Sequence, residues 1–450
     1  MANSFSLFVP LTAAAAASIA LLASPQPDRD GPDTHGRDAR ATTYATDIAP
    51  ILDKNCVSCH RPGQVAPFSL IGYDNAKKWA STIVAVTKTK RMPPWKAVQG
   101  FGEFLDENRL SNEQIEAISN WEKAGMPRGD KALEPKPRTF SSEWAIGAPD
   151  LIVSANKPFR IGAEGNDVYR NFVIPTNFKE TRWVSGIDVR PGNPKVVHHV
   201  IAFLDDKDRA KRQEDNTKDG QEGYSSWGGG VGFEPDGSFG GWAPGVRARK
   251  SNGETAFELK PGTTIVMQVH YHKSGKPEED QTKLGLYFAK EKPKQVLKLA
   301  WLANPLFKLK AGEKDQKVEL NITLPADITL HGVMPHMHML GRSMKATATL
   351  PDGKVVPLIY IDDWDFNWQL TYAYKQPIRL PKGTKLHIEA VYDNSPENPR
   401  NPHSPPKQIT WGEQTTDEMM LFVAAYSTDD NKGFDDRAAL IKALFGKGGG

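Results

Sequence analysis

The sequence predicts a multidomain chain, an all-α domain followed by two all-β sandwich domains. Residues 43–130 carry apolar positions at helical spacing, whereas from about residue 145 short β-rich runs alternate with Gly, Pro and Asn turns. The β-rich part continues to residue 430, too long for one ordinary sandwich, so a division near 290–310 is expected. A chain of 450 residues agrees with several domains of roughly 100–200 residues each.

The elements follow in order. Residues 1–23 read as a signal peptide: Phe5 to Leu22 is apolar, Ala13 to Ala17 is all alanine, and polar sequence begins at Ser24. No Lys or Arg precedes the apolar run, so a retained anchor is the alternative; no other stretch is long and apolar enough to span a bilayer. Residues 24–42 read as a linker. In 43–130, Tyr44 to Leu52 leads into a cysteine-containing word, and Asn75 to Lys88 places Trp79, Ile83, Val84 and Thr87 on one helical face. Ser111 and Gln114 form a capping box ahead of Ile115, Ile118 and Trp121, and Gly125 closes that helix. Residues 131–147 form a Pro-rich linker. The two sandwiches are expected at 148–292 and 293–430, and a tail at 431–450 with a short helix over Asp436 to Phe445. Strands are expected over Tyr169–Ile174, Thr181–Val189, Val196–Phe203, Thr264–His272, Lys283–Ala289, Val318–Leu324, Met344–Leu350, Thr384–Tyr392 and Met419–Tyr426. Gly220 to Gly245, rich in Gly and Trp, reads as an ordered loop over a site or interface.

The formal net charge is only +3, which gives no reason to expect nucleic acid or a membrane surface as partner. The run Lys207 to Lys218 reads as a solvated loop. The chain has two cysteines, both in Cys56-Val57-Ser58-Cys59-His60. That spacing is a covalent c-type haem attachment signal, with two thioethers and His60 as proximal iron ligand. Met92, presented before Pro93-Pro94, is the expected distal ligand, with Met126 as competitor. One covalent haem c implies a monohaem cytochrome c domain, a periplasmic or secreted protein, and no cysteine left for a disulfide.

Most of the remaining histidines fall in three motifs. His198 and His199 are adjacent in an expected strand, where neighbours face opposite sides, so they share one metal only if the strand bulges or twists. His270 and His272 share a face, as do His336 and His338; His331 and His387 stand apart. Imidazole suits copper, zinc and iron, and no carboxylate stands at fixed spacing to complete a facial triad.

On these words residues 150–428 resemble the copper type II, ascorbate-dependent monooxygenases, the peptidylglycine- and dopamine-hydroxylating family. The matching words are Val197-His198-His199, Met267-Gln268-Val269-His270-Tyr271, His336-Met337-His338-Met339-Leu340-Gly341 and Thr415-Thr416-Asp417-Glu418-Met419. The resemblance implies two jelly-roll-like sandwiches, each holding one copper: the first on His198, His199 and His270, the second on His336, His338 and Met419. It implies hydroxylation of a C–H bond of a small organic substrate with O₂ at the second copper. An external one-electron donor or redox protein would feed electrons through the haem. Where the peptidylglycine enzyme carries a carboxylate-binding arginine this chain has Met334, and polar substrate contacts are replaced by Leu421 and Val423, which turns the substrate expectation toward an apolar or bulky molecule. The alternative is a periplasmic haem and copper electron-transfer or copper-binding protein without oxygenase activity.

Overall fold

A computed structural model describes residues 41–64, 66–136, 138, 144–226, 230–251 and 253–445. The expected signal peptide lies outside the described residues. Among these, no helix is long and apolar enough to cross a membrane.

The chain is a mixed α/β, multidomain structure of short helices and several sheets. Four of the six α-helices among the described residues lie between Ala49 and Lys123; the others are Arg209–Asn216, where a solvated loop is expected from the sequence, and Asp436–Phe445. Ser111 caps Asn112–Lys123, its Oγ accepting from the Gln114 amide while the Gln114 side chain accepts from the Ser111 amide. That helix buries Ile118 and Trp121 against Tyr44, Ile48, Leu52 and Ile83.

The later chain is built of antiparallel ladders. In Gln316–Thr323 burial alternates residue by residue, as expected of a strand with one face on the core. Thr264–Tyr271 is buried throughout, because it is the middle strand of a five-stranded sheet between Val168–Pro175 and Val197–Asp205. Its odd-numbered residues Ile265, Met267, Val269 and Tyr271 fill one core. The period of two therefore turns Gln268 and His270 to the other face.

One eight-stranded sheet connects the earlier and later β-rich stretches. Gln295–Ala303 pairs in parallel with Thr255–Leu259 on one side and antiparallel with Leu421–Ser427 on the other. The expected division near 290–310 thus falls where a single strand belongs to both neighbourhoods. The loop 94–105 of the helical region also enters the later core: Ala97 and Phe104 pack among Leu358, Tyr372 and Tyr374, and Val98 N–H donates to Tyr360 O at 2.7 Å.

Candidate metal centre

The histidine pair and the isolated histidine converge through a bulge. The pairing of Val197–Asp205 with Thr264–Tyr271 slips by one residue between Val197 and His199. A bulge supplies the extra residue that lets adjacent side chains aim at one point. His198 Nδ1 lies 3.3 Å from His199 Nδ1, and His270 Nδ1 lies 3.4 Å from His199 Nδ1. A tetrahedral metal with bonds of about 2.0–2.1 Å holds its ligand nitrogens roughly 3.3–3.4 Å apart, so the spacing matches a metal cage. The three histidines form one of two groups among the described residues whose side chains could hold a metal.

The surroundings fix the rings. His270 Nε2 faces Asp167 Oδ2 at 3.0 Å, which leaves Nδ1 for a metal. Tyr169 stacks on His270, with centroids 4.2 Å apart and planes at 12°. Burial lowers the His270 pKa, and the bond to Asp167 opposes that only in part. Burial and the neighbouring imidazoles lower His198 to about 3 and hold His199 well below its ordinary value. Burial raises the Asp167 pKa, but the bonds from His270 and Thr415 outweigh it and keep this carboxyl below its ordinary value. These are neutral imidazoles beside an ionised carboxylate at neutral pH, the protonation state a cation requires.

The second pair lies where Ile328–His336 ends. His336 and His338 have ring centroids 5.1 Å apart at 87°, while the intervening Met337 is buried in the core. His336 Nδ1 is 2.8 Å from Gln369 Oε1, and His338 Nδ1 is 3.2 Å from the Asp417 carbonyl oxygen. Both rings therefore keep Nε2 for a ligand. Burial lowers His336 to about 4, and burial with the His336 ring holds His338 well below its ordinary value. Glu418, fully buried, ties the pair to the segment carrying Met419: its oxygens accept from the amides of His338 at 2.8 Å, Leu340 at 2.6 Å and Met419 at 3.1 Å. Burial pushes the Glu418 pKa up to about 8 despite those donors. Phe366 stands between the two groups, stacked on His198 at 4.9 Å and edge-on to His338 at 5.7 Å.

A cavity of about 1100 Å³ opens onto both groups. His199, His336, His338 and Met419 line it, together with Met334, Leu421, Phe239 and Trp301. Val423 instead lies buried in the sheet.

The other histidines go elsewhere. His272 follows its strand, its amide bonded to Val196 O. His331 Nε2 is 2.9 Å from Ser427 Oγ. His387 joins Glu319 and Glu389 in the second metal-capable group, at the surface, but its Nδ1 meets Asn321 at 2.8 Å and Glu389 pairs with Lys317 at 2.8 Å.

Cys56 and Cys59 are free cysteines. Burial pushes the Cys56 thiol up to about 12. His60 Nδ1 is 3.2 Å from Phe68 O, and the Met92 amide donates to Val86 O at 3.0 Å. None of these residues belongs to either metal-capable group.

Asp167, Tyr169, Phe366 and Gln369 had no local signal in the sequence as site residues. Thr415 and Glu418 stood inside a matching word but had no role assigned to them.

No family model matches the chain, and no curated protein does. The solved structures that match include PNGF-II, at 8% identity over 62% of this chain and 65% of that one, with a TM-score of 0.27. They also include the major capsid protein P2 of bacteriophage PM2, at 10% identity over 62% of this chain and 97% of that one, with a TM-score of 0.25. A third is the VP2 subviral particle of infectious bursal disease virus, at 10% identity over 62% and 72%, with a TM-score of 0.19. The chain thus spans about two thirds of the PNGF-II structure (65%). At these scores the likenesses carry no function across.

Two expectations are corrected by these findings. The resemblance to a copper type II monooxygenase fused to a cytochrome c does not stand: no family model and no curated protein of that kind matches the chain. The haem, iron and cytochrome c expectation on Cys56, Cys59, His60 and Met92 does not stand either. The word is present in the sequence, but the metal-capable groups among the described residues lie elsewhere, and no cytochrome family model matches.

Proposed function

We propose that this chain is a copper-binding redox protein with two sites. The first comprises His198, His199 and His270 through Nδ1; the second comprises His336 and His338 through Nε2 with the Met419 thioether. The observation that supports this best is the convergence of three Nδ1 atoms at 3.3 and 3.4 Å while the far nitrogen of His270 is held by Asp167. Imidazole accepts copper or zinc, and a site adding a soft thioether favours Cu(I), so copper is the metal that suits both sites. Copper would supply one-electron chemistry, exchanged with an external one-electron donor or redox protein. The two sites assign one metal to each proposed sandwich, 148–292 and 293–430. The apolar leader in the sequence supports a periplasmic or secreted location.

A second reading, an oxidoreductase using O₂ on a small organic substrate, is supported by the cavity of about 1100 Å³ beside His336, His338 and Met419. Met334, Leu421, Phe239 and Trp301 favour an apolar molecule there.

Metal analysis with EPR on the full chain tests the main reading. The expected result is two coppers per chain, falling to one in His270→Ala. A protein that retains no copper, or whose copper is unchanged by that substitution, overturns it. Oxygen uptake with a reductant and apolar compounds separates the second reading from simple electron transfer.

A further inference from the structure

One oxygen atom joins the two sites. Asp167 Oδ2 accepts from His270 Nε2 at 3.0 Å and from Thr415 Oγ1 at 2.7 Å. Thr415 belongs to the segment that leads to Met419. A second link runs alongside: Tyr169 stacks on His270, and its hydroxyl donates to Glu413 O at 2.6 Å, two residues before Thr415. Beyond Thr415 the segment is closed on itself. Asp417 N–H donates to Gln414 O at 2.8 Å, and Gly412 N–H donates to Glu418 O at 3.1 Å. At its far end the Asp417 carbonyl holds His338 Nδ1, and the Glu418 carboxylate holds the amides of His338 and Met419. Hydrogen bonds and the intervening backbone of 415–418 thus connect the His270 ring to the His338 imidazole and the Met419 amide.

We infer that Asp167 and Thr415 form a strut that makes loading of one metal site strengthen the other. This inference rests on the proposed copper reading. Asp167 keeps the proton on His270 Nε2, so Nδ1 points its lone pair at the first site. When a metal fixes that ring, Asp167 and Thr415 are fixed with it, and the segment ahead of Met419 loses the freedom it would otherwise surrender on binding the second metal. Such coupling acts equally in both directions. Asp167 and Thr415 are positioning residues; neither is a ligand in this scheme.

The test uses the full chain titrated with Cu(I) against a competing chelator, with X-ray absorption reporting the copper–sulfur bond of Met419. Thr415→Val keeps the shape and removes the hydroxyl; Thr415→Ser restores it. Thr415→Val is expected to weaken the sulfur-ligated site by about tenfold or more, in the range seen when outer hydrogen bonds to a metal site are removed. Thr415→Ser is expected to recover the wild-type affinity. In a His270→Ala background, with the first site disabled, Thr415→Val is expected to have no further effect. Equal second-site affinity in wild type and Thr415→Val overturns the strut, as does the same loss in the His270→Ala background. In either case the wild-type chain still binds two coppers and the copper reading survives. A wild-type chain that binds no copper overturns both.

Discussion

Protonation governs the site at the scale of single residues. Burial and mutual repulsion place His198 at about 3 and His336 at about 4, against about 6.5 for an unfolded histidine. Between those values the unfolded chain binds protons that the folded chain refuses, so stability rises with pH across the window. The contribution is complete above about pH 6.5 and is lost as pH falls toward the folded values. Glu418 acts in the opposite sense: its folded value of about 8 lies above the unfolded 4.5, so its contribution is complete below 4.5 and is lost as pH rises through 8. Several histidines are set against one carboxyl, so the histidine slope is expected to dominate on the acid side. Urea unfolding of the metal-free protein should give a lower midpoint at about pH 5 than at about pH 7. In His336→Leu that difference should shrink; an identical pH slope in the variant would contradict the assignment. The same shifts explain why the ligands need no deprotonation before a cation binds at neutral pH.

At the scale of elements, the segment around Met419 depends on a buried carboxyl whose oxygens face backbone N–H groups and which is ionised only above about pH 8. Both Glu418 oxygens accept from amides, Oε2 from His338 and Met419 and Oε1 from Leu340. Measured above about pH 8, where the carboxyl is ionised and accepts at both oxygens, Glu418→Gln puts the side-chain NH₂ against an N–H whichever way the amide turns. A buried donor left without a partner costs about 1–3 kcal/mol. Thermal or urea unfolding should register a loss of that size, and the copper–sulfur signal of the second site should weaken with it. Unchanged stability would show that the amides find other acceptors. The strands that bear the ligands were partly legible beforehand. Val197–Asp205, Thr264–Tyr271 and Leu421–Ser427 coincide with expected strands, because each is a compact β-branched or aromatic run. Ile328–His336 was missed. It carries Gly332 and Pro335, which weaken a strand reading, and Gly332 sits at a bulge where a Cβ would lie 2.9 Å from Tyr372 O. The bulge at His198 and His199 could be named as a requirement but not located, since register belongs to the pairing of two strands. Asp167 lies 103 residues from His270 and 248 from Thr415, so no local pattern could mark it.

At the scale of the whole molecule, the helices keep a core of their own while the loop 94–105 enters the core of the later sheets, which helical periodicity in 43–130 could not reveal. Phe104 is 3% exposed, with its ring 5.3 Å from Tyr372 and 5.2 Å from Tyr374. Around it the backbone joins the sheet edge: Leu105 N–H donates to Ala373 O at 2.8 Å, and Lys375 N–H donates to Glu103 O at 2.9 Å. Lys96 pairs with Asp363 at 2.7 Å, next to the segment that supplies Phe366 and Gln369 to the proposed metal sites. The loop 94–105 is therefore a structural part of the later half, and the helical region it belongs to is anchored by it. Phe104→Ala removes a ring from a closed core, a change that costs about 3–5 kcal/mol. Because that ring contacts Tyr372 and Tyr374, whose strand Tyr372–Leu380 pairs with the histidine-bearing Ile328–His336, the damage should not stay local. Hydrogen exchange in residues 43–130 and second-site copper release should both move to lower denaturant in this variant. If the copper site kept its wild-type midpoint while exchange in 43–130 shifted, the helical region and the second site would be independent folding units, and the packing of Phe104 would not couple them.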